Sequence, residues 1–148
     1  MFIRIANKED ISQIVRFQLA MARETEGIEL NPSTVEKGVS AVLEDPSKGQ
    51  YYLAEHESKI IGSLLTTYEW SDWRNGTIIW IQSVYVLPAQ RRKGVYSQMY
   101  LHLKNQVLNS KNLNGIRLYA DIDNKPAHKT YQKLGMNKDH YVTFEWLK

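Results

Sequence analysis

Val84-Tyr85-Val86-Leu87-Pro88-Ala89-Gln90-Arg91-Arg92-Lys93-Gly94-Val95-Tyr96 reads as a strand end, a short basic loop, a glycine and the start of a helix. Upstream, Thr77 to Leu87 is the most strand-like run of the chain, rich in Ile, Val, Trp and Tyr, and Pro88 ends it. Downstream, Tyr96, Met99, Tyr100, Leu103 and Val107 recur at helical spacing. The first N–H groups of a helix lack partners and carry the positive end of its dipole, so they attract anions. Gly94 removes a side chain where an anion must approach the backbone, and Arg91, Arg92 and Lys93 add charge at the same mouth. From the loop alone, an anion site and a solvated basic turn are both open. The loop contains neither Gly-x-x-x-x-Gly-Lys-Ser/Thr nor Gly-x-Gly-x-x-Gly, so the common nucleotide and dinucleotide fingerprints do not apply.

Working outward, Phe2, Ile3 and Ile5 suggest a first strand, with Asn7 capping the helix that carries Ile11, Ile14, Val15, Leu19 and Ala22 on one face. Ser33 with Glu36 reads as a capping box for a second helix, which Asp45-Pro46 closes. Gln50 to Glu55 and Ile60 to Tyr68 form a hairpin, and Glu69 to Gly76 is a polar excursion bearing Trp70 and Trp73. After the central stretch come a strand at Gly115 to Asp121, a helix opened by Asn124-Lys125-Pro126 and ended by Gly135, and a closing strand at His140 to Trp146. The order β-α-α-β-β-β-α-β-α-β predicts a mixed α/β sheet with helices on its faces, in one domain over residues 1–148.

Composition narrows the function. The chain has 148 residues and no cysteine, which excludes a cysteine nucleophile and thiolate-ligated metal. The four histidines are scattered without His-x-x-x-His or His-Glu-x-x-His spacing, so no metal site is expected. A net charge of +3, with acids and bases interleaved, does not suit a nucleic-acid-binding face. No stretch approaches the ~20 apolar residues of a membrane span. Met1 to Asn7 also lacks the apolar run of a secretion signal. A cytoplasmic protein with no membrane partner is expected.

A second motif lies downstream of the first: Asn124-Lys125-Pro126-Ala127-His128-Lys129-Thr130-Tyr131-Gln132-Lys133-Leu134-Gly135-Met136. Together the two resemble the GNAT superfamily of acetyl-CoA-dependent N-acetyltransferases. Arg91-Arg92-Lys93-Gly94-Val95-Tyr96 after Val86-Leu87-Pro88 is similar to that family's Arg/Gln-x-x-Gly-x-Gly/Ala pyrophosphate loop. Asn124, Ala127, Tyr131 and Gly135 match its later Asn-x-x-Ala-x-x-x-Tyr-x-x-x-Gly-Phe, with Met136 in the aromatic's place. The element order agrees too, so the resemblance covers essentially the whole chain. Two departures stand out: Tyr96 occupies a Gly/Ala position, and Gln82-Ser83 replaces the acidic pair that many relatives carry before the Val-Tyr-Val stretch.

The resemblance implies a centrally splayed sheet in which the pantetheine arm of acetyl-CoA lies between two diverging parallel strands. Backbone groups at Val84, Tyr85 and Val86 would meet the arm and the reacting carbonyl. Amides of Arg92, Lys93, Gly94, Val95, Tyr96 and Ser97 would hold the pyrophosphate, with Arg91 shaping the loop and Asn124 touching the arm. Tyr131 would act as general acid toward the departing thiolate, since a phenol with a pKa of about 10 keeps its proton at neutral pH. Glu69 is the candidate base, ahead of Asp72, Asp121 and Asp123, and a mechanism without a base stays open. Glu24, Glu26, Glu29, Glu69, Asp72, Trp70 and Trp73 suit a cationic small-molecule amine or a lysine side chain as acceptor, and are equally open to reading as surface acids with Trp70 and Trp73 capping a sheet edge. The alternative is a non-catalytic acyl-CoA-binding sensor of the same fold. Pairing of the closing strand with a second copy, giving a homodimer, is open alongside a strand covered by its own helix.

Overall fold

The computed structural model describes residues 1–148. Its packing divides into two compact units, Met1–Arg117 and Leu118–Lys148, which are treated in turn. In the first unit, β1 (Phe2–Ile5) leads through a 3-10 turn to α1 (Ile11–Thr25) and then α2 (Pro32–Glu44). Three antiparallel strands follow: β2 (Gln50–His56), β3 (Lys59–Ser71) and β4 (Gly76–Val86). A helix, α3 (Val95–Asn109), then crosses to β5 (Leu113–Arg117). The sheet order is β1-β2-β3-β4-β5, and only β4 and β5 run parallel, as the intervening helix requires.

Alternation along β2 assigns the two faces of the sheet. Tyr51 and Leu53 join Ile14 of α1 and Val39 of α2 in one core, with Val35, Val42 and Leu65 packed against it. Tyr52 points the other way, where its hydroxyl donates to Gln106 Oε1 of α3 at 3.0 Å and its ring meets His102 edge-on. Both faces are therefore covered, which explains why four consecutive β2 residues are buried.

Local chemistry sets the boundaries. Asn7 Oδ1 accepts from Glu9 N–H while Asp10 accepts from Asn7 N–H, so the expected cap acts on the turn that leads into α1. At α2 the expected Ser33–Glu36 box is replaced by Asn31, which accepts from Thr34 N–H at 3.0 Å with Pro32 in the first turn. Proline suits that position because its missing N–H would have no helical acceptor there. Glu57 and Ser58, both at positive φ, make the tight β2–β3 turn. The tryptophan excursion is instead a continuation of the hairpin. Glu69 pairs with Ile78, Trp70 with Thr77 and Ser71 with Gly76, leaving only Asp72 to Asn75 as the turn.

In the second unit, α4 (Lys125–Lys133) is capped by Asn124 Oδ1, which accepts from Ala127 N–H at 3.2 Å. Gly135, at φ 87°, ends it in a Schellman motif: Gly135 N–H bonds to Gln132 O and Met136 N–H to Tyr131 O. The strand expected at Gly115 to Asp121 is β5, shifted to Leu113–Arg117. The closing strand expected at His140 to Trp146 does not form, and Phe144 and Trp146 stand exposed. Alternating β-branched and aromatic residues give a segment strand propensity, but a strand exists only where a ladder partner accepts its backbone groups.

Candidate functional site

Pairing of β4 with β5 stops at Trp80↔Arg117, while β4 continues to Val86. From Ile81 onward β4 keeps β3 as its neighbour but has no β5 partner, because β5 ends at Arg117, and one edge of β4 is left without a ladder. Within this stretch the β3–β4 register slips: Leu65 faces Gln82 but Ser63 faces Tyr85. The extra residue on β4 coincides with Ser83, at φ 50°. A bulge of this kind re-aims the following backbone and side chains. It brings Gln82 and Tyr85 to the α1-facing side, where Gln82 Nε2 donates to Thr67 Oγ1 at 2.7 Å and Tyr85 stacks on Phe17 of α1 at 5.0 Å. Nothing in the Gln82-Ser83 dipeptide announced the bulge.

Beyond Val86 the chain makes a 3-10 turn at Pro88–Gln90 and reaches α3 through Arg91–Gly94. Arg92 (φ 63°) and Gly94 (φ 80°) both take left-handed backbone, a geometry that turns successive N–H groups toward a common concavity. No side chain caps α3, no acid occupies its first turn, and its first internal bond is Gln98 N–H to Gly94 O. A Cβ at Gly94 would meet nothing within 4 Å. This open backbone cradle beside Arg91, Arg92 and Lys93 has the donors and the charge that a diphosphate, such as that of coenzyme A, would need. Tyr96, the departure in this motif, lies half-buried along α3 with its ring 6.4 Å from that of Tyr100.

Arg91 is bound from two sides. Its Nε donates to Val86 O at 2.9 Å and its Nη2 to Glu24 Oε2, with the guanidinium 5.5 Å from the Tyr85 ring centroid. Tyr85 hydroxyl donates to the other Glu24 oxygen at 3.0 Å. Arg91, helped by Tyr85, holds the Glu24 carboxyl below its ordinary value, and burial pushes the Tyr85 phenol up.

Glu69 stands on β3 near the end of the β4–β5 pairing. Trp80 Nε1 donates to its Oε2 at 2.5 Å and Arg117 Nη1 to its Oε1 at 2.6 Å. These two donors, Trp80 foremost, lower the Glu69 pKa. Glu29 likewise pairs with Arg23. Three of the acids that the sequence offered as an anionic lining are thus each matched by an arginine, which spacing along the chain could not reveal. Asp72 and Trp73 are in the exposed hairpin turn. Of the remaining expected residues, Asn124 and Tyr131 belong to α4 of the second unit. Asn124 serves as its cap, and Tyr131 is partly buried, its phenol pKa raised by desolvation. No group of three or more His, Asp or Glu side chains is arranged to hold a metal ion, and no helix is long and apolar enough to cross a membrane.

Comparison with known proteins agrees with this geometry. The acetyltransferase (GNAT) family matches residues 12–136. Among curated proteins no relative matches. The crystal structure of a possible acetyltransferase from Clostridium difficile 630 is 40% identical, covers 99% of this chain and 97% of its own, and has a TM-score of 0.92. A predicted acetyltransferase with acetyl-CoA from Clostridium acetobutylicum gives a TM-score of 0.74 at 23% identity, over 97% of this chain and 95% of its own. AAC(6')-Iy in complex with the bisubstrate analogue CoA-S-monomethyl-acetylneamine gives 0.78 at 17% identity, over 99% of this chain and 97% of its own. The last two share the fold. With the family matched over residues 12–136 and a bulged β4, unpaired at its end, leading into a basic helix start, the chain belongs to the GNAT acetyltransferase family.

Proposed function

We propose that the protein is an N-acetyltransferase that moves an acetyl group from acetyl-CoA to a primary amine of a small molecule or lysine side chain, by direct attack in a ternary complex. The observation that carries this reading is the joining of the unpaired end of β4 to the uncapped start of α3 through Arg91–Gly94. Amides from Arg92 to Ser97 hold the pyrophosphate, supported by the helix dipole. Val84, Tyr85 and Val86 offer backbone groups to the pantetheine arm, which takes the place of a strand beside β4. Acetyl-CoA supplies the activated thioester. A backbone N–H at the Ser83 bulge, on Val84 or Tyr85, stabilises the developing oxyanion; one such donor contributes on the order of 3 kcal/mol.

Glu69 attracts the acceptor's ammonium group. Its low proton affinity makes it a poor base, so it orients the amine, which loses its proton to water. Tyr131 gives its proton to the departing thiolate. The charge of the Glu69 carboxylate favours a cationic amine as acceptor. We place the protein in the cytoplasm, and a homodimer is compatible with its exposed C-terminal aromatics.

The test is thiol release from acetyl-CoA across polyamines, aminoglycosides, amino acids and lysine peptides. Turnover with one amine class that collapses in Tyr131→Phe supports the reading. Coenzyme A binding without turnover of any amine would instead favour an acyl-CoA sensor, and no coenzyme A binding would sink both.

A further inference from the structure

We propose that Arg91 is shared between Glu24 and the pyrophosphate of coenzyme A, so that Glu24 tunes cofactor affinity and is released toward the acceptor side of the sheet when the cofactor loads. This rests on coenzyme A binding at the α3 cradle. The geometry is specific. Arg91 is tethered by its Nε to Val86 O, at the end of the strand that leads into the cradle, while its Nη2 reaches back to Glu24 at the end of α1. Glu24 therefore sets a negative charge beside a loop otherwise built to gather anions. Both side chains are about two-fifths exposed, 44% for Arg91 and 39% for Glu24, so their pair is a weak one. An exposed ion pair changes an equilibrium constant by about threefold. A diphosphate presents more charge and more acceptor oxygens to the same guanidinium than one carboxylate does, and it wins the exchange.

Released from Arg91, Glu24 keeps only Tyr85 hydroxyl as a partner. Its carboxylate then lies on the α1 side of the sheet, the side that Glu69 and Gln82 share. Loading of the cofactor thereby converts a neutralised acid into an anionic one facing the amine. Arg91 from the loop and Tyr85 from β4 are the charged or titratable groups that face Glu24, and on its own side of the chain Arg23 is taken by Glu29. Coupling of this kind is reciprocal. Because coenzyme A strips Glu24 of its counter-ion, it raises the Glu24 pKa, and protonation of Glu24 must in turn favour coenzyme A.

Calorimetry with coenzyme A on the full chain tests this. Glu24→Gln is expected to bind coenzyme A about threefold more tightly than wild type, and to lose the part of the affinity that rises as pH falls through the Glu24 titration. Arg91→Ala is expected to bind more weakly and to erase the effect of Glu24→Gln. If wild type binds no coenzyme A, the activity reading itself fails. If it does bind but Glu24→Gln binds no more tightly, this inference alone fails. Independently of any variant, the carbon-13 shift of the Glu24 carboxyl in wild type should titrate at higher pH with saturating coenzyme A than without it. An unchanged or lower titration point overturns the exchange.

Discussion

Arg117 Nη1 lies 2.6 Å from Glu69 Oε1, although 48 residues separate the two in the chain. Arg117 is the last residue of β5 to pair with β4, and its partner there is Trp80, whose indole N–H holds the other Glu69 oxygen. The end of the β4–β5 ladder thus carries a carboxylate fixed by two donors, one from each strand. A carboxylate held in this way is rigid and ionised rather than basic.

That arrangement makes the first prediction. Glu69→Gln should raise the acceptor's KM about tenfold, as a charge-assisted contact gives way to a neutral one. Since the wild-type pKa lies below the ordinary carboxylate value, Glu69 stays charged across about pH 6 to 8 and contributes no slope to the rate there. A limb near neutral pH in kcat/KM that disappears in the Gln variant would show that Glu69 is the proton acceptor after all.

Tyr131 carries the second. Tyr131→Phe should lower kcat by about a hundredfold, the lower range for loss of a general acid. Coenzyme A affinity, measured separately by calorimetry, should change far less. Because desolvation raises the phenol's pKa, the acid stays protonated through neutrality, and kcat should fall only on the alkaline side, above about pH 10. Equal losses in kcat and in coenzyme A affinity would mark the ring as a binding contact and not as the acid.

The parts of this fold that the sequence declares are those with local causes. Thr77 to Leu87, Pro88 and Gly94 announce a strand, its end and a helix start through propensity, ring geometry and backbone freedom, and all three stand where expected. Ser83 left no trace, because a one-residue register slip depends on which β3 residues sit opposite. The acids misled for a related reason. Glu24, Glu29 and Glu69 look like an anionic lining until the fold brings Arg91, Arg23 and Arg117 to them. Trp70 was hidden by its polar neighbours, whose pairing across the hairpin is set by β4. His140 to Trp146 has the residues of a strand without the ladder. Charge pairing and strand pairing are both long-range, and neither can be read from spacing alone.

The left-handed backbone at the cradle gives the third prediction. A Cβ at Gly94 meets no atom, so Gly94→Ala introduces no clash, but φ 80° is strained for any side chain. The variant should lose about 1 kcal/mol of stability in denaturant unfolding and bind coenzyme A several-fold more weakly as the first-turn amides relax. Full retention of both would mean that the loop adopts this conformation for reasons other than holding an anion.

Ser83 offers the converse. It already bears a Cβ at φ 50°, so Ser83→Gly should be neutral or stabilising by up to about 1 kcal/mol. Ser83→Val should be destabilising by about 1–2 kcal/mol, since β-branched residues tolerate this region worst. If the bulge aims the oxyanion donor, Ser83→Val should also lower kcat with little change in coenzyme A affinity. A variant with normal kcat would detach the bulge from the chemistry.

The last prediction concerns the body that holds the site rigid. Arg4 grips Asp10 through both Nη atoms, at 2.8 and 2.9 Å, and Glu55 through Nε at 2.9 Å, tying β1, the turn before α1 and β2 together. Asp10 is buried and also accepts from Asn7 N–H, so removing Arg4 leaves a carboxylate with one donor in place of three. Arg4→Met should cost about 2 kcal/mol in urea unfolding, less than a fully buried pair because Arg4 itself is partly exposed. Arg4, ahead of the Asn7 contact, holds the Asp10 pKa below its ordinary value. Its contribution is therefore complete above the unfolded carboxylate pKa of about 3.9 and declines as pH falls through the lower folded value. Acid unfolding of Asp10→Asn should lack that step, whereas a wild-type step surviving in Asp10→Asn would assign acid lability to another carboxylate.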